Sequence, residues 1–174
     1  MVLYPENLRK QIDETNAWTY ENVNNGVYKC GFATTQEAYE KAIKPLFDSL
    51  DKIEKHLSTS EGPFYWGKHI TEGDVRLYTT IVRFDPVYVQ HFKTNIRDIR
   101  SGYPAIHKWL RNLYWNHDAF KSTTQFEHVS RTNLKLVFGS CYANGKYRSR
   151  STIRRVTHKS TLTQSLQSAP FRIF

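Results

Sequence analysis

The acidic side chains of this chain are confined to its first 128 residues, which limits the part that can fold into a domain. Residues 1–128 hold all 16 Asp and Glu and 16 of the 25 Lys and Arg, so their net charge is zero. Residues 129–174 hold the other nine Lys and Arg, no acid, and 12 Ser and Thr. Apolar residues in this second part lack a sustained period, which is typical of disorder. We therefore predict one globular domain at 1–128 and a basic, Ser/Thr-rich, disordered tail at 129–174.

An apolar stripe at helical spacing defines the longest predicted helix. Thr34 and Glu37 stand at the spacing of a capping box, in which a hydroxyl and a carboxylate satisfy free backbone amides at the helix start. Apolar residues then recur along one face, which predicts a core-facing helix: Ala38, Ala42, Leu46, Leu50, Ile53 and Leu57. Pro45 removes one backbone hydrogen bond within this stretch, so we expect either a kink or two abutting helices.

A second capping box opens the next predicted helix. Thr71 is its expected N-cap, and Asp74 is the third helical residue. Such a cap stabilises a helix by about 1 kcal/mol. We therefore assign Thr71 and Asp74 a structural role.

The remaining apolar segments also follow helical spacing. A first helix should start at Pro5 and end in a turn near residues 24–26, because Asn and Gly tolerate positive φ. Another should follow Pro104, and a short one should begin after Ser122 and Thr123. No run of alternating apolar and polar residues predicts a strand. The predicted fold class is therefore all-α, a helical bundle.

Several classes of function find no support in the sequence. No apolar run reaches the ~20 residues that span a bilayer, and the N-terminus does not look like a signal peptide, so we expect a cytoplasmic protein without a membrane partner. Cys30 and Cys141 form no CxxC motif, and no His/Cys cluster has zinc-ligand spacing, so we expect no metal. Nucleophile-elbow, zinc-protease and phosphate-loop motifs are also missing from the sequence.

Two segments of the sequence indicate a particular protein family. Residues 24–39 read NNGVYKCGFATTQEAY, and residues 71–93 read TEGDVRLYTTIVRFDPVYVQHFK. Together they resemble the C-terminal domain of the Xi-class, omega-like glutathione transferases, the glutathionyl-hydroquinone reductases. Residues 4–9 and 109–114 are also similar to that family, so the resemblance covers roughly residues 3–128. The Thr-x-x-Asp cap is shared across glutathione transferases and is less specific than the other strings.

The resemblance implies a fold and a reaction. Family members carry a thioredoxin-like N-terminal domain that binds glutathione and supplies a nucleophilic cysteine, while the helical domain binds an aromatic quinol-type substrate. The cysteine thiolate attacks the sulfur of a glutathionyl-hydroquinone, and a second glutathione resolves the mixed disulfide. Because Met1 stands where the family's second domain begins, we expect this chain to lack the cysteine domain and to be inactive alone.

The resemblance also assigns residues. Tyr28 and Tyr88 match pocket tyrosines that contact the substrate hydroxyl groups, and a phenol suits that role because it both packs and hydrogen-bonds. The alternative is that each ring simply packs in the core. A third family tyrosine falls at Asn133, and Tyr142 is no replacement for it. Cys30 is not expected to be a nucleophile, so we assign no catalytic residue.

Two other functions stay open at this point. Family dimers associate through their C-terminal domains, so this chain could be a homodimerisation or binding module. The basic tail, with aromatic residues such as Tyr142, Tyr147 and Phe171, could bind nucleic acid, although no motif supports this. The abrupt break after His128 is also typical of intron read-through or a shifted reading frame.

Overall fold

The computed structural model describes residues 2–129, so all of the predicted tail except Val129, which is buried, lies outside the described residues. Within this part the chain is helical and contains no strand, apart from one isolated bridge between Phe64 and Gly67, which confirms the all-α prediction. The helices are α1 Arg9–Thr19, α2 Gly26–Phe32, α3 Gln36–Thr59, α4 Glu72–Arg83, α5 Val89–His91, α6 Ile99–Gly102, α7 Pro104–Asn116 and α8 Asp118–Thr123. Two π-helical segments, Tyr20–Asn24 and Phe84–Tyr88, follow α1 and α4, and a further helical turn spans 126–129.

The first helical stretch ends at Asn24 and the chain turns at Asn25, as predicted, but no residue of this segment adopts positive φ. Asn25 has φ −83° and ψ −27°, so the chain stays right-handed helical through this point. The reason is tertiary: the Asn24 amide donates to the Arg76 carbonyl at 3.1 Å and to the Thr80 hydroxyl at 2.6 Å. Gly26 is buried, and a methyl group there would touch Leu46. Asn24 therefore fastens this segment to α4.

Helix α3 is continuous through Pro45, so the prediction of two abutting helices is wrong. Its apolar face is buried between α2 and α7, and this packing holds the helix together across the missing hydrogen bond. The N-cap is also one residue later than predicted. Thr35, not Thr34, accepts a hydrogen bond from the amide of Ala38 at 3.2 Å.

Four hydrogen bonds converge on one side chain at the start of α4. The carboxylate of Asp74 is fully buried and accepts from both the amide and the hydroxyl of Thr71, at 2.9 and 2.8 Å. Its other oxygen accepts from the Tyr65 amide at 2.8 Å and from the Trp109 indole at 2.9 Å. One side chain thus joins α4, the preceding loop and α7.

Helix α7 begins at Pro104, as predicted. The Glu54 carboxylate of α3 accepts from the amides of Ala105 and Ile106, at 2.8 and 2.9 Å, and so caps it. The sequence did not predict the short helix that follows, Asp118–Thr123. The helical turn at 126–129 begins after Ser122 and Thr123, as predicted. Within residues 2–129 no helix is both long and apolar enough to cross a membrane.

Candidate functional site

A cleft of about 1180 Å³ opens between the helices of the described domain. One wall is α4 together with the π-helical segment after it, which contributes Tyr88. A second wall is Asn24, Asn25 and Tyr28, and a third is α8 with residues 124–129. The hydrogen bonds of Asn24 to α4 hold the first two walls together. The volume lies at or slightly above the range of ordinary small-molecule sites.

Both predicted pocket tyrosines line this cleft and meet there. The hydroxyl oxygens of Tyr28 and Tyr88 are 3.3 Å apart, and either one can donate to the other. Tyr88 is 2% exposed, whereas Tyr28 is 37% exposed and reaches the cleft from its edge. Burial raises the pKa of Tyr88 well above its usual range, and the hydrogen bond with Tyr28 raises it further. Tyr88 therefore keeps its proton at neutral pH and remains a hydrogen-bond donor.

A cluster of aromatic rings sets the positions of the two tyrosines. Phe92 lies behind them, with its ring centre 5.3 Å from that of Tyr28 and 5.2 Å from that of Tyr88. Phe32, which is half exposed, stacks on Tyr28 and also contacts Phe92. Gly31 allows this packing, because a methyl group there would lie closer than 3.0 Å to the Phe92 ring. The pair is thus held by ring contacts from α2 and from the chain after α4.

The opposite side of the cleft has its own aromatic pair. Tyr78 on α4 packs edge-on against Phe120 of α8, with ring centres 4.6 Å apart. The Tyr78 hydroxyl lies 2.9 Å from that of Thr124. Burial raises the pKa of Tyr78, and the hydrogen bond with Thr124 offsets part of that effect. An aromatic ligand would therefore find ring surfaces on both sides and hydroxyl groups at the edges.

The cleft has one permanently charged side chain among the described residues that line it, that of Arg83. His128 also lines it, and no Asp or Glu is among the described residues that do so. Arg83 lies in the last turn of α4, half-buried, and its guanidinium donates to the carbonyl of Thr79. The cleft is therefore neutral to cationic.

Cys30 does not belong to this chemistry. It lies in α2, which begins at Gly26. Its side chain is 2% exposed, and burial raises its pKa to about 11. A buried thiol of this kind is a poor nucleophile at neutral pH. Across residues 2–129 no group of three or more His, Cys, Asp or Glu is placed to hold a metal ion.

Part of the cleft was not predicted from the sequence. Arg83 and Tyr78 lie within the segment 71–93 that identified Tyr88 as a candidate pocket residue. Nothing in their own side-chain chemistry identified them as cleft residues. Thr124 and the rest of the third wall gave no signal, since they are brought to the cleft only by the packing of α8. The third expected position, Asn133, lies outside the described residues.

Comparison with known proteins places this architecture in context. Residues 36–112 match the family described as glutathione S-transferase, C-terminal domain. Over 127 residues the chain is 62% identical to glutathione S-transferase omega-like 2 of Schizosaccharomyces pombe, covering 73% of this chain and 41% of that protein. It is 46% identical over 126 residues to a glutathionyl-hydroquinone reductase of Escherichia coli, covering 72% of this chain and 37% of the relative.

Solved structures agree with these relatives. Glutathione transferase Xi 1 of Trametes versicolor superposes with a TM-score of 0.72 at 60% identity, over 74% of this chain and 44% of that one. The Xi glutathione transferase of Saccharomyces cerevisiae, solved in complex with glutathione, gives 0.71 at 50% identity, over 73% and 43%. The chain thus spans about two fifths of the length of the curated relatives it matches.

Proposed function

Since the described domain belongs to the C-terminal helical domains of the Xi-class, omega-like glutathione transferases, we propose that its cleft binds the aromatic part of a glutathionyl-hydroquinone. Such a ligand has a flat ring and hydroxyl groups. The cleft offers ring surfaces from Tyr28, Tyr88 and Phe120 and hydroxyl groups that can donate to a ring oxygen. The observation that carries the proposal is the Tyr28–Tyr88 hydroxyl pair at the cleft wall.

In this proposal the described domain binds and positions the substrate, and the nucleophilic thiolate comes from outside residues 2–129. The one thiol among residues 2–129 is Cys30, which is buried and protonated at neutral pH. Attack on the sulfur of a glutathione conjugate needs a thiolate. We therefore expect the 174-residue chain, assayed by itself with glutathione and a glutathionyl-hydroquinone, to show no turnover. Glutathione is a substrate of the proposed reaction. In the family it binds mainly to the thioredoxin-like domain.

A chimera tests the proposal directly. The matching segment of the S. pombe relative is replaced by residues 3–129 of this chain, and the chimera is assayed for glutathione-dependent release of hydroquinone. We expect the chimera to be active and Tyr28→Phe or Tyr88→Phe within it to raise KM for the conjugate at least severalfold. Tyr20→Phe is the matched control, because Tyr20 is 55% exposed and does not line the cleft. A folded chimera in which both cleft variants behave like Tyr20→Phe would refute the proposal.

The two other candidate functions remain predictions. Sedimentation of the purified chain tests homodimerisation, and a strictly monomeric chain over the micromolar range would argue against it. Salt-sensitive binding of single-stranded DNA that disappears on deletion of residues 129–174 would support the nucleic-acid function. No contact among the described residues favours either of these over the aromatic cleft.

A further inference from the structure

Arg83 is the one permanently charged side chain among the described residues of the cleft. Its guanidinium donates to the Thr79 carbonyl, one turn earlier in α4. Within residues 2–129 no carboxylate pairs with it. Its charge is therefore not neutralised by a neighbour and acts on whatever occupies the cleft.

Two acidic side chains near Arg83 in the sequence have other partners. Asp85 accepts from the amides of Ile99 and Arg100, at 2.7 and 3.0 Å, and so helps to hold α6. Glu72 pairs with Arg76, two turns before Arg83 on the same helix. The two arginines of α4 therefore differ: Arg76 has a carboxylate partner, whereas Arg83 lines the cleft without one among the described residues.

The neighbouring hydroxyl groups favour the same kind of ligand. Tyr88 and Tyr78 remain protonated at neutral pH, because burial raises the pKa of each. A protonated phenol donates a hydrogen bond to an anionic oxygen more strongly than to a neutral one. A nearby positive charge favours an anion over its neutral acid, whereas desolvation by itself favours the neutral acid. Arg83 acts in the first direction on the cleft phenols, since its charge lowers the pKa of Tyr88 and of Tyr78 against the larger effect of burial.

We propose that Arg83 makes the cleft select the anionic form of a phenol, with the phenolate oxygen held by the tyrosine hydroxyl groups and its charge balanced by the guanidinium. This inference rests on the proposed function, because it specifies the ionisation state of the hydroquinone-type ligand. It makes Arg83 a specificity-determining residue for phenols over aromatic ethers of the same shape.

The test uses the intact chain and two probes of nearly equal shape, 4-nitrophenol and 4-nitroanisole. The absorption spectrum of 4-nitrophenol reports whether the bound phenol is ionised, whereas 4-nitroanisole cannot ionise. We expect the pKa of bound 4-nitrophenol to fall by about one unit below that of the free phenol, a roughly tenfold preference for phenolate. Arg83→Gln should abolish or reverse this shift, and Arg83→Lys, which keeps the charge, should retain part of it.

Arg76→Gln is the matched control, since it removes one positive charge from the same helix outside the cleft. It should leave the pKa of bound 4-nitrophenol unchanged, and 4-nitroanisole should bind equally to wild type and Arg83→Gln, which also shows that the variant is folded. If both probes bind but the bound phenol titrates identically in wild type and Arg83→Gln, Arg83 does not select the phenolate. The proposal that the cleft binds an aromatic ligand is then unaffected. If neither probe binds to the folded chain, the aromatic cleft and the inference fall together.

Discussion

The hydroxyl oxygens of Tyr28 and Tyr88 lie 3.3 Å apart, although 60 residues separate the two tyrosines in the chain. Helix α2 and the π-helical segment after α4 bring them together, and Phe92 packs against both rings. If both hydroxyl groups bind one ligand oxygen, their contributions to binding are coupled. A double-mutant cycle measures this coupling.

We expect Tyr28→Phe and Tyr88→Phe each to weaken binding of hydroquinone to the chain by about 1 kcal/mol, the typical net value of one hydrogen bond. The double variant should lose less than the sum, because each single variant also removes the partner that orients the other hydroxyl group. Titration calorimetry measures the four affinities. Strictly additive losses, or unchanged affinity in both single variants, would contradict a shared ligand oxygen.

Gly31→Ala should disturb the cleft through Phe92. A methyl group at residue 31 would lie closer than 3.0 Å to a ring that is 1% exposed and has little room to move. Overpacking of this kind typically costs about 1–3 kcal/mol in the free energy of unfolding. Urea denaturation measures that loss, and near-ultraviolet circular dichroism reports the rearranged rings.

Gly26→Ala is the matched control for this prediction, because both glycines lie in α2. A methyl group at Gly26 would meet Leu46 at 3.6 Å, an ordinary contact. We expect this variant to be neutral or more stable by up to about 1 kcal/mol, because alanine has fewer conformations to lose on folding. Adding Phe92→Leu to Gly31→Ala should recover part of the stability, and no recovery would mean that the clash lies elsewhere.

Local patterns predicted the helices, because helical spacing and caps depend on residues close in sequence. The stripe of α3 and the start of α7 at Pro104 are examples. The differences arose where distant residues decide the outcome. The turn near residues 24–26 was expected to use positive φ, but the bonds of Asn24 to α4 keep the backbone in the right-handed region. At Pro45 either a kink or two abutting helices was predicted, and the second alternative is wrong, because packing against α2 and α7 keeps α3 continuous.

The cleft could be predicted only in part. Tyr28 and Tyr88 were identified by the strings around them, and the structure brings their hydroxyl groups together. Arg83 and Thr124 line the same cleft and were not predicted. The packing of α8 brings Thr124 there, and Asp85, the acid nearest to Arg83 in the sequence, bonds to α6 instead. Such relations depend on which carboxylates are used elsewhere in the fold, and no local pattern contains that information.

Asp74→Asn should be strongly destabilising. Each oxygen of the carboxylate accepts two hydrogen bonds, and the asparagine amide would place a donor against two existing donors. Unsatisfied buried donors cost about 1–3 kcal/mol each, so we expect a loss of at least ~3 kcal/mol in the free energy of unfolding. Asp48→Asn, on the exposed side of α3, is the control and should stay within about 0.5 kcal/mol of wild type.

Trp109→Phe separates the contribution of one of these bonds. It removes the indole that donates to Asp74 at 2.9 Å but keeps a large apolar ring in the core. Chemical denaturation should place this variant between wild type and Asp74→Asn. If Asp74→Asn unfolds at the same denaturant concentration as Asp48→Asn, the carboxylate does not join the loop to α7 as described.

Cys30 should react with thiol reagents only when the domain unfolds. Burial raises its pKa to about 11, so at pH 8 roughly one molecule in a thousand carries the thiolate, and the side chain is 2% exposed. The measurement is the rate of iodoacetamide labelling in a Cys141→Ser variant, in which Cys30 is the sole thiol. We expect labelling at least a hundredfold slower than for free cysteine in native buffer and near the free rate in urea. Cys30→Ala should leave hydroquinone affinity unchanged. Fast native labelling together with loss of binding in Cys30→Ala would instead place this thiol at the cleft and would require a different account of its chemistry.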